Sequence, residues 1–228
     1  MFSKILIANR GGKYALASDI KDFFYNFHLH RKSQYLTHIM WVKDISLPPT
    51  PENLLILVMR KVGFGPPPSP AISHGGLRFI FDKFPCEYGK QFLSTLYVDD
   101  NYIGMASEEQ LADYQQTITN HLLKFGIKLT KFLSNSKRVM EQIPKEFHGK
   151  TKDNKTKVLG MMWDLEKDTL SLKPFQYEEV PEPLTPRHII HRVPMIFDPI
   201  GLSAPVKLRM LRLFSAAVRS TATLDTPV

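Results

Sequence analysis

The stretch QFLSTLYVDDNYIGM (residues 91–105) holds two β-rich halves around an acidic pair, Asp99-Asp100. Gln91–Val98 and Asn101–Met105 are rich in aromatic and branched side chains. The pattern predicts strand, tight acidic turn, strand: a β-hairpin. Asp also favours turns for local reasons, because its carboxylate bonds nearby backbone N–H groups. The pair alone therefore leaves two readings open, a turn and a chemical site.

Outward from the hairpin, strands and helices mix. Upstream, YALASDI (14–20) alternates and ends in a carboxylate, Asp19. KDFFYNF (21–27) reads as a turn or short helix. Residues 35–43 and 54–60 resume β character on either side of Pro48, Pro49 and Pro51. GFGPPPSP (63–70) is a rigid turn, and the apolar spacing after it suggests a helix despite Gly75-Gly76. Downstream, Ser107 is a good N-cap, and Leu111, Tyr114, Ile118 and Leu122 recur at helical spacing until Gly126. Ile127–Phe132 suggests a strand, and 158–163 with 169–172 a small hairpin. Residues 174–184, with three prolines, read as a linker. Thr185-Pro186 opens a helix. These elements predict an α+β protein, a small antiparallel sheet with helices packed on one face.

Composition excludes several classes. The 228 residues are 43% hydrophobic and 23% charged, as in ordinary globular proteins. The longest apolar run, Leu54–Met59, is far shorter than the roughly 20 residues that span a bilayer. The first residues lack a secretory signal pattern. A single cysteine, Cys86, rules out an internal disulfide and argues against a thiolate zinc site. His28/His30 and His188/His191 have no partner at zinc-like spacing, and Trp41 and Trp163 read as packing residues. An intracellular, reduced protein is expected, not a secreted or membrane one. The net charge of +8 suits a phosphate-bearing partner. Lysines and arginines cluster over 120–157 and 187–219, either as solvated faces or as stripes for a nucleic-acid backbone.

If the Asp19 strand lies beside the Asp99-Asp100 hairpin, three carboxylates converge at one sheet edge. Clustered carboxylates repel unless a cation neutralises them. Hard oxygen ligands of this kind suit magnesium, which takes its remaining ligands from water and substrate phosphates. Two such ions about 4 Å apart assist an in-line phosphoryl displacement.

Five segments occur in one order: Asp19-Ile-Lys-Asp-Phe-Phe, Gly63-Phe-Gly-Pro-Pro-Pro-Ser-Pro, Tyr97-Val-Asp-Asp, Gly126-Ile-Lys-Leu-Thr-Lys and Leu159-Gly160. Together they resemble the palm motifs of reverse transcriptases. LLKFGIKLTKFLSNSKRVMEQIP (122–144), VLGMMWDLEKDTL (158–170) and LTPRHIIHRVPMIFDPIGLSAPV (184–206) resemble the BEL/Pao family of LTR retrotransposons. The resemblance spans about residues 12–215, with Phe197-Asp-Pro-Ile-Gly-Leu-Ser-Ala-Pro its most family-specific piece.

The resemblance implies a right-hand polymerase palm. Residues 1–173 would form the palm with partial fingers at about 30–62, 174–184 a linker, and 185–228 partial thumb or connection helices. It implies an RNA-directed DNA polymerase using two magnesium ions, with manganese as a substitute. The catalytic and metal-holding residues would be Asp19, Asp99 and Asp100, with the Ile20 carbonyl as a further metal ligand. Backbone N–H groups of Asp22 and Phe23 would meet the triphosphate. Phe24 would screen against a ribose 2′-OH, or else be a core aromatic. Phe64 stands where many retroviral relatives have Gln. Lys131 would sense or protonate the pyrophosphate, or else be an ordinary surface lysine. Gly65 and Ser69 would underlie the template and nascent base pair. Tyr97 would touch the primer, or pack within the hairpin. Leu159-Gly160 would form the primer grip, and Arg187 and Arg192 would contact phosphates.

The implied partners are an RNA template, a DNA primer and deoxynucleoside triphosphates, in a cytoplasmic retroelement particle. Because Asp19 lies so near Met1, the first part of the fingers is expected to be missing. Protease, ribonuclease H and integrase modules are expected to be absent too. The chain is therefore expected to be a truncated polyprotein fragment or a decayed element. The alternatives to a polymerase are a catalytically inactive, nucleic-acid-binding remnant and an inert scaffold.

Overall fold

In the computed structural model, residues 2–174 and 179–228 are described. Met1 and residues 175–178, part of the expected linker, lie outside the described residues. The chain divides into two compact units, Ile7–Gly149 and Lys150–Val228 with Met1–Leu6. This division differs from the one expected at 173/174: a small sheet at 155–171 groups with the C-terminal helices.

The chain opens with α1 (Phe2–Asn9) and the strand β1 (Tyr14–Ile20). A 3-10 turn at Phe24–Asn26, the short α2 (Arg31–Gln34) and the ribbon β2 (His38–Val42) and β3 (Leu54–Val58) follow. Then come α3 (Ser69–Lys83), α4 (Gly89–Thr95), β4 (Leu96–Tyr97), β5 (Asp100–Met105), α5 (Glu108–Leu123), β6 (Leu129–Ser134) and α6 (Lys137–Gln142). A four-stranded antiparallel sheet, ordered β4-β5-β1-β6, is the centre of this unit.

Side chains alternate along β1 and β5, and the two faces differ in kind. Leu16, Ile20, Ile103 and Met105 join the core with Leu77, Phe92, Leu111, Tyr114, Ile118, Leu122 and Val139 from α3, α4, α5 and α6. The opposite face carries Ala15, Ala17, Asp19, Asp100 and Tyr102. Helices α3 to α6 therefore cover one face of the sheet, and the carboxylates lie on the other, where the end of α1 closes against Gly104. A buried polar chain runs through this core. The Tyr114 hydroxyl donates to Asn101 Oδ1 at 2.7 Å, and Asn101 Nδ2 donates to Thr95 Oγ1 at 2.8 Å.

Four sequence expectations need correction. Gln91–Val98 is not a strand. Most of it is α4, because Phe92 and Thr95, three residues apart, are both buried and the Thr95 hydroxyl bonds back to the Gln91 carbonyl. The pairs Leu96↔Asn101 and Tyr97↔Asp100 place Val98 and Asp99 at the hairpin turn, so Asp100 belongs to the strand rather than the tip. Residues 137–142 form a helix the sequence reading passed over, capped by Ser136, whose hydroxyl accepts from the Val139 N–H at 3.1 Å. Trp41 is 63% exposed on the two-stranded ribbon, whereas Trp163 is fully buried. Only the second is a packing residue.

In the other unit, β7 (Lys155–Val158), β8 (Met161–Asp164) and β9 (Thr169–Ser171) form a three-stranded meander, one strand more than the expected hairpin. Then α7 (Pro186–Arg192) and α8 (Ala204–Ser220) pack on each other. Thr185 caps α7 as expected, with Pro186 at its first turn. Among the described residues no helix is long and apolar enough to cross a membrane.

Candidate active site

The antiparallel register sets Asp19 directly opposite Asp100. Residues so paired share a face, with Cβ atoms about 5 Å apart. Asp99 is tied into the same edge, since its carbonyl accepts from the Ile20 N–H at 2.8 Å. The neighbouring strands required by the sequence argument are therefore present, and all three aspartates lie at one end of β1 and β5.

Their electrostatics follow from that crowding. Burial, joined by the charge of Asp19, pushes the Asp99 carboxyl above the usual range, against a backbone hydrogen bond and the Lys131 charge. Burial likewise raises Asp100, with Asp99 and Asp19 adding to it. The Tyr102 hydroxyl, donating to Asp100 Oδ2 at 2.9 Å, and Lys131 pull the other way. Lys131 Nζ lies 2.8 Å from Asp19 Oδ1. That hydrogen bond, with the charges of all three aspartates, raises the lysine further.

The approach of Lys131 has a backbone cause. The β1–β6 register runs Asp19↔Thr130 and then Ala17↔Leu133, one residue longer on β6 than on β1. This is a β-bulge, with Lys131 in the left-handed region at φ 55. Thr130, opposite Asp19, shares the carboxylate face.

A cleft of about 360 Å³ adjoins this edge, lined among others by Asp19, Asp22, Lys21, Lys128, Lys131 and Glu146. A smaller hollow of about 210 Å³ continues past Lys21 and Lys128 to Asn26 and Gly126. The backbone N–H groups of Asp22 and Phe23 have no hydrogen-bond partner among the described residues. Asp22 is left-handed, at φ 53. Sequence reasoning passed over Tyr102, Lys21, Thr130 and Glu146, and held Lys128 only as part of the basic stretch 120–157. Alternation along the strand from Asp100 was the available signal for Tyr102. Nothing local marked Glu146, which the fold brings in from a separate turn.

The other expected residues are placed as follows. Phe24 is buried in the core, its ring 5.0 Å from that of the exposed Phe64. Gly65 has φ +98, a conformation side chains resist. The Ser69 hydroxyl is turned inward, donating to the Gly63 carbonyl at 2.7 Å and closing the proline turn. Tyr97 pairs with Asp100 across the hairpin. Leu159 and Gly160 do form a tight turn, at φ 49 and φ 82, between β7 and β8. A side chain at Gly160 would collide with the Phe197 ring. Arg187 grips Asp225 through Nε and Nη2 at 2.6 and 2.8 Å, and Arg192 donates to the Glu179 carbonyl at 2.7 Å.

The donor set fits a hard divalent ion in kind: three carboxylates in one field, two of them raised by burial and mutual charge. It is not gathered as a finished cage. Among the described residues no three His, Cys, Asp or Glu side chains are grouped as metal ligands.

No family model and no curated protein matches the chain. Among solved structures, it is similar to a foamy viral protease-reverse transcriptase in complex with an RNA/DNA hybrid, at 16% identity and a TM-score of 0.52. The chain has a reverse-transcriptase-like fold. The match covers 90% of this chain and 24% of the viral one, so the chain spans about a quarter of that protein's length.

Proposed function

We propose that this chain carries the palm, part of the fingers and the start of the thumb of an RNA-directed DNA polymerase, of the BEL/Pao retrotransposon type. The observation that carries the reading is the Asp19–Asp100 register pair, with Asp99 tied to Ile20, in a reverse-transcriptase-like fold. Asp19, Asp99, Asp100 and the Ile20 carbonyl would hold magnesium or manganese, which supplies charge neutralisation for the attacking and leaving oxygens.

The chain's own groups would do the rest. The free N–H groups of Asp22 and Phe23 would bind triphosphate oxygens, with Lys21 and Lys128 flanking the cleft. Lys131 would hold a proton near the leaving pyrophosphate. Phe24 would screen the sugar, with Phe64 against it. Gly65 and Ser69 would support the template and nascent pair, and Tyr97 the primer. Leu159, Gly160 and Arg192 would serve the primer–template backbone, whereas Arg187 is taken by Asp225. The natural setting would be a larger cytoplasmic polyprotein with protease, ribonuclease H and integrase modules.

Primer extension on an RNA template tests this. Deoxynucleotide incorporation is expected with Mg²⁺ or Mn²⁺, and Asp99→Asn should lower it about a hundredfold or more. A mutant as active as the parent sinks the assignment. A second reading, nucleic-acid binding without catalysis, is favoured by the Asp19–Lys131 ion pair and the ungathered carboxylates. It expects salt-dependent binding and no incorporation.

A further inference from the structure

Lys131 reaches Asp19 only because of the bulge in β6. Regular alternation from Leu129, which enters the core, would turn Lys131 toward the helix-covered face. An ammonium there would be buried without a partner. The extra residue gives that place to Phe132, which is 2% exposed, and swings Lys131 onto the carboxylate face. A lysine in left-handed backbone is strained. The fold thus retains a strained residue that brings a positive charge to Asp19. The lysine side chain is 68% exposed, so it can swing outward without opening the core, whereas that of Asp19 is 12% exposed and fixed in the sheet.

Resting on the polymerase reading, we propose that Lys131 is a built-in competitor for the divalent cation. It neutralises Asp19 in the metal-free chain and must leave Oδ1 before an ion takes that oxygen. Two cations cannot share one carboxylate oxygen at contact distance without strong repulsion. The released ammonium stays beside the cleft, where Lys21 and Lys128 already stand. Loading the site and freeing a cationic group for an incoming phosphate thereby become one event.

Mn²⁺ binding to the full chain, read from loss of the free-ion electron paramagnetic resonance signal, tests the competition. Lys131→Met removes the charge at similar length. Lys131→Asn does so with a residue that tolerates left-handed backbone. Both should bind Mn²⁺ at least about fivefold more tightly than the parent, a gain of about 1 kcal/mol. Unchanged or weaker binding in both variants, or no binding in any protein, overturns the proposal. Asp19→Asn separates the two ideas. If it abolishes binding while the Lys131 variants change nothing, the site stands and the competition falls. If it binds Mn²⁺ as well as the parent does, the catalytic reading itself falls.

Discussion

Asp100 is held in a place that disfavours its charge. Burial raises its pKa, and the neighbouring Asp99 and Asp19 raise it further. The native pKa therefore lies above the unfolded value of about 3.9. Below that unfolded value both states are protonated and nothing is lost. As pH rises through the native pKa, ionisation opposes folding, and above it the penalty is complete. Asp100→Asn removes the penalty and keeps an oxygen for the Tyr102 hydroxyl. The variant should be more stable at pH 7 by on the order of 1 kcal/mol, or about 2–4 °C in Tm. The gain should shrink toward zero as pH falls to about 4. Calorimetry across pH checks it; a Tm below the parent's at neutral pH would mean that favourable contacts of the ionised carboxylate outweigh the repulsion.

At the scale of elements, the helices that back the site are joined through their N-termini. The Ser107 hydroxyl accepts from the Gln110 N–H at 3.2 Å and starts α5. The Ser136 hydroxyl caps α6 and also donates to the Glu108 carboxylate in the first turn of α5. Arg138 of α6 pairs with Glu109 beside it. Ser136 is 1% exposed, so Ser136→Ala removes a cap and leaves Glu108 without its hydroxyl. A loss of about 1–2 kcal/mol is expected, measured by urea unfolding with an unchanged m-value. A loss under about 0.3 kcal/mol would mean that the two helices are not coupled through this residue. Elements of this kind were legible to different degrees. The Asp19 strand and α5 follow from alternation and helical spacing in their own residues. α4 did not, because the β-like composition of Gln91–Val98 is overridden by Phe92 and Thr95, buried on one helical face. The cap at Ser136 was a usable signal for α6. The bulge at Lys131 had no local mark, since neither Thr130 nor Phe132 demands an extra residue. It arises from the need to place Phe132 inward, which only the assembled sheet imposes.

For the molecule as a whole, the surplus of 30 Lys and Arg over 22 Asp and Glu occurs in both units. Composition alone could not distinguish solvated faces from a nucleic-acid footprint. The structure narrows the choice at one place: the Lys21 N–H donates to the Lys128 carbonyl at 2.9 Å, so these two lysines lie side by side along the cleft by Asp19. Arg187, by contrast, is already satisfied by Asp225. If the cleft receives a nucleic-acid or nucleotide backbone, binding should release counterions. With about four phosphates neutralised, log K against log salt should fall with a slope near −3.6, roughly 150-fold weaker binding for a fourfold rise in salt. Lys21→Gln and Lys128→Gln should each flatten that slope by about 1 and weaken binding alike on all sequences. Arg187→Gln, which breaks only an internal ion pair, should leave the slope unchanged. Fluorescence anisotropy with an RNA/DNA hybrid over a salt series reads all three slopes. If Arg187→Gln flattens the slope while the two lysine variants do not, phosphates are held by the C-terminal helices and not at the carboxylate cleft.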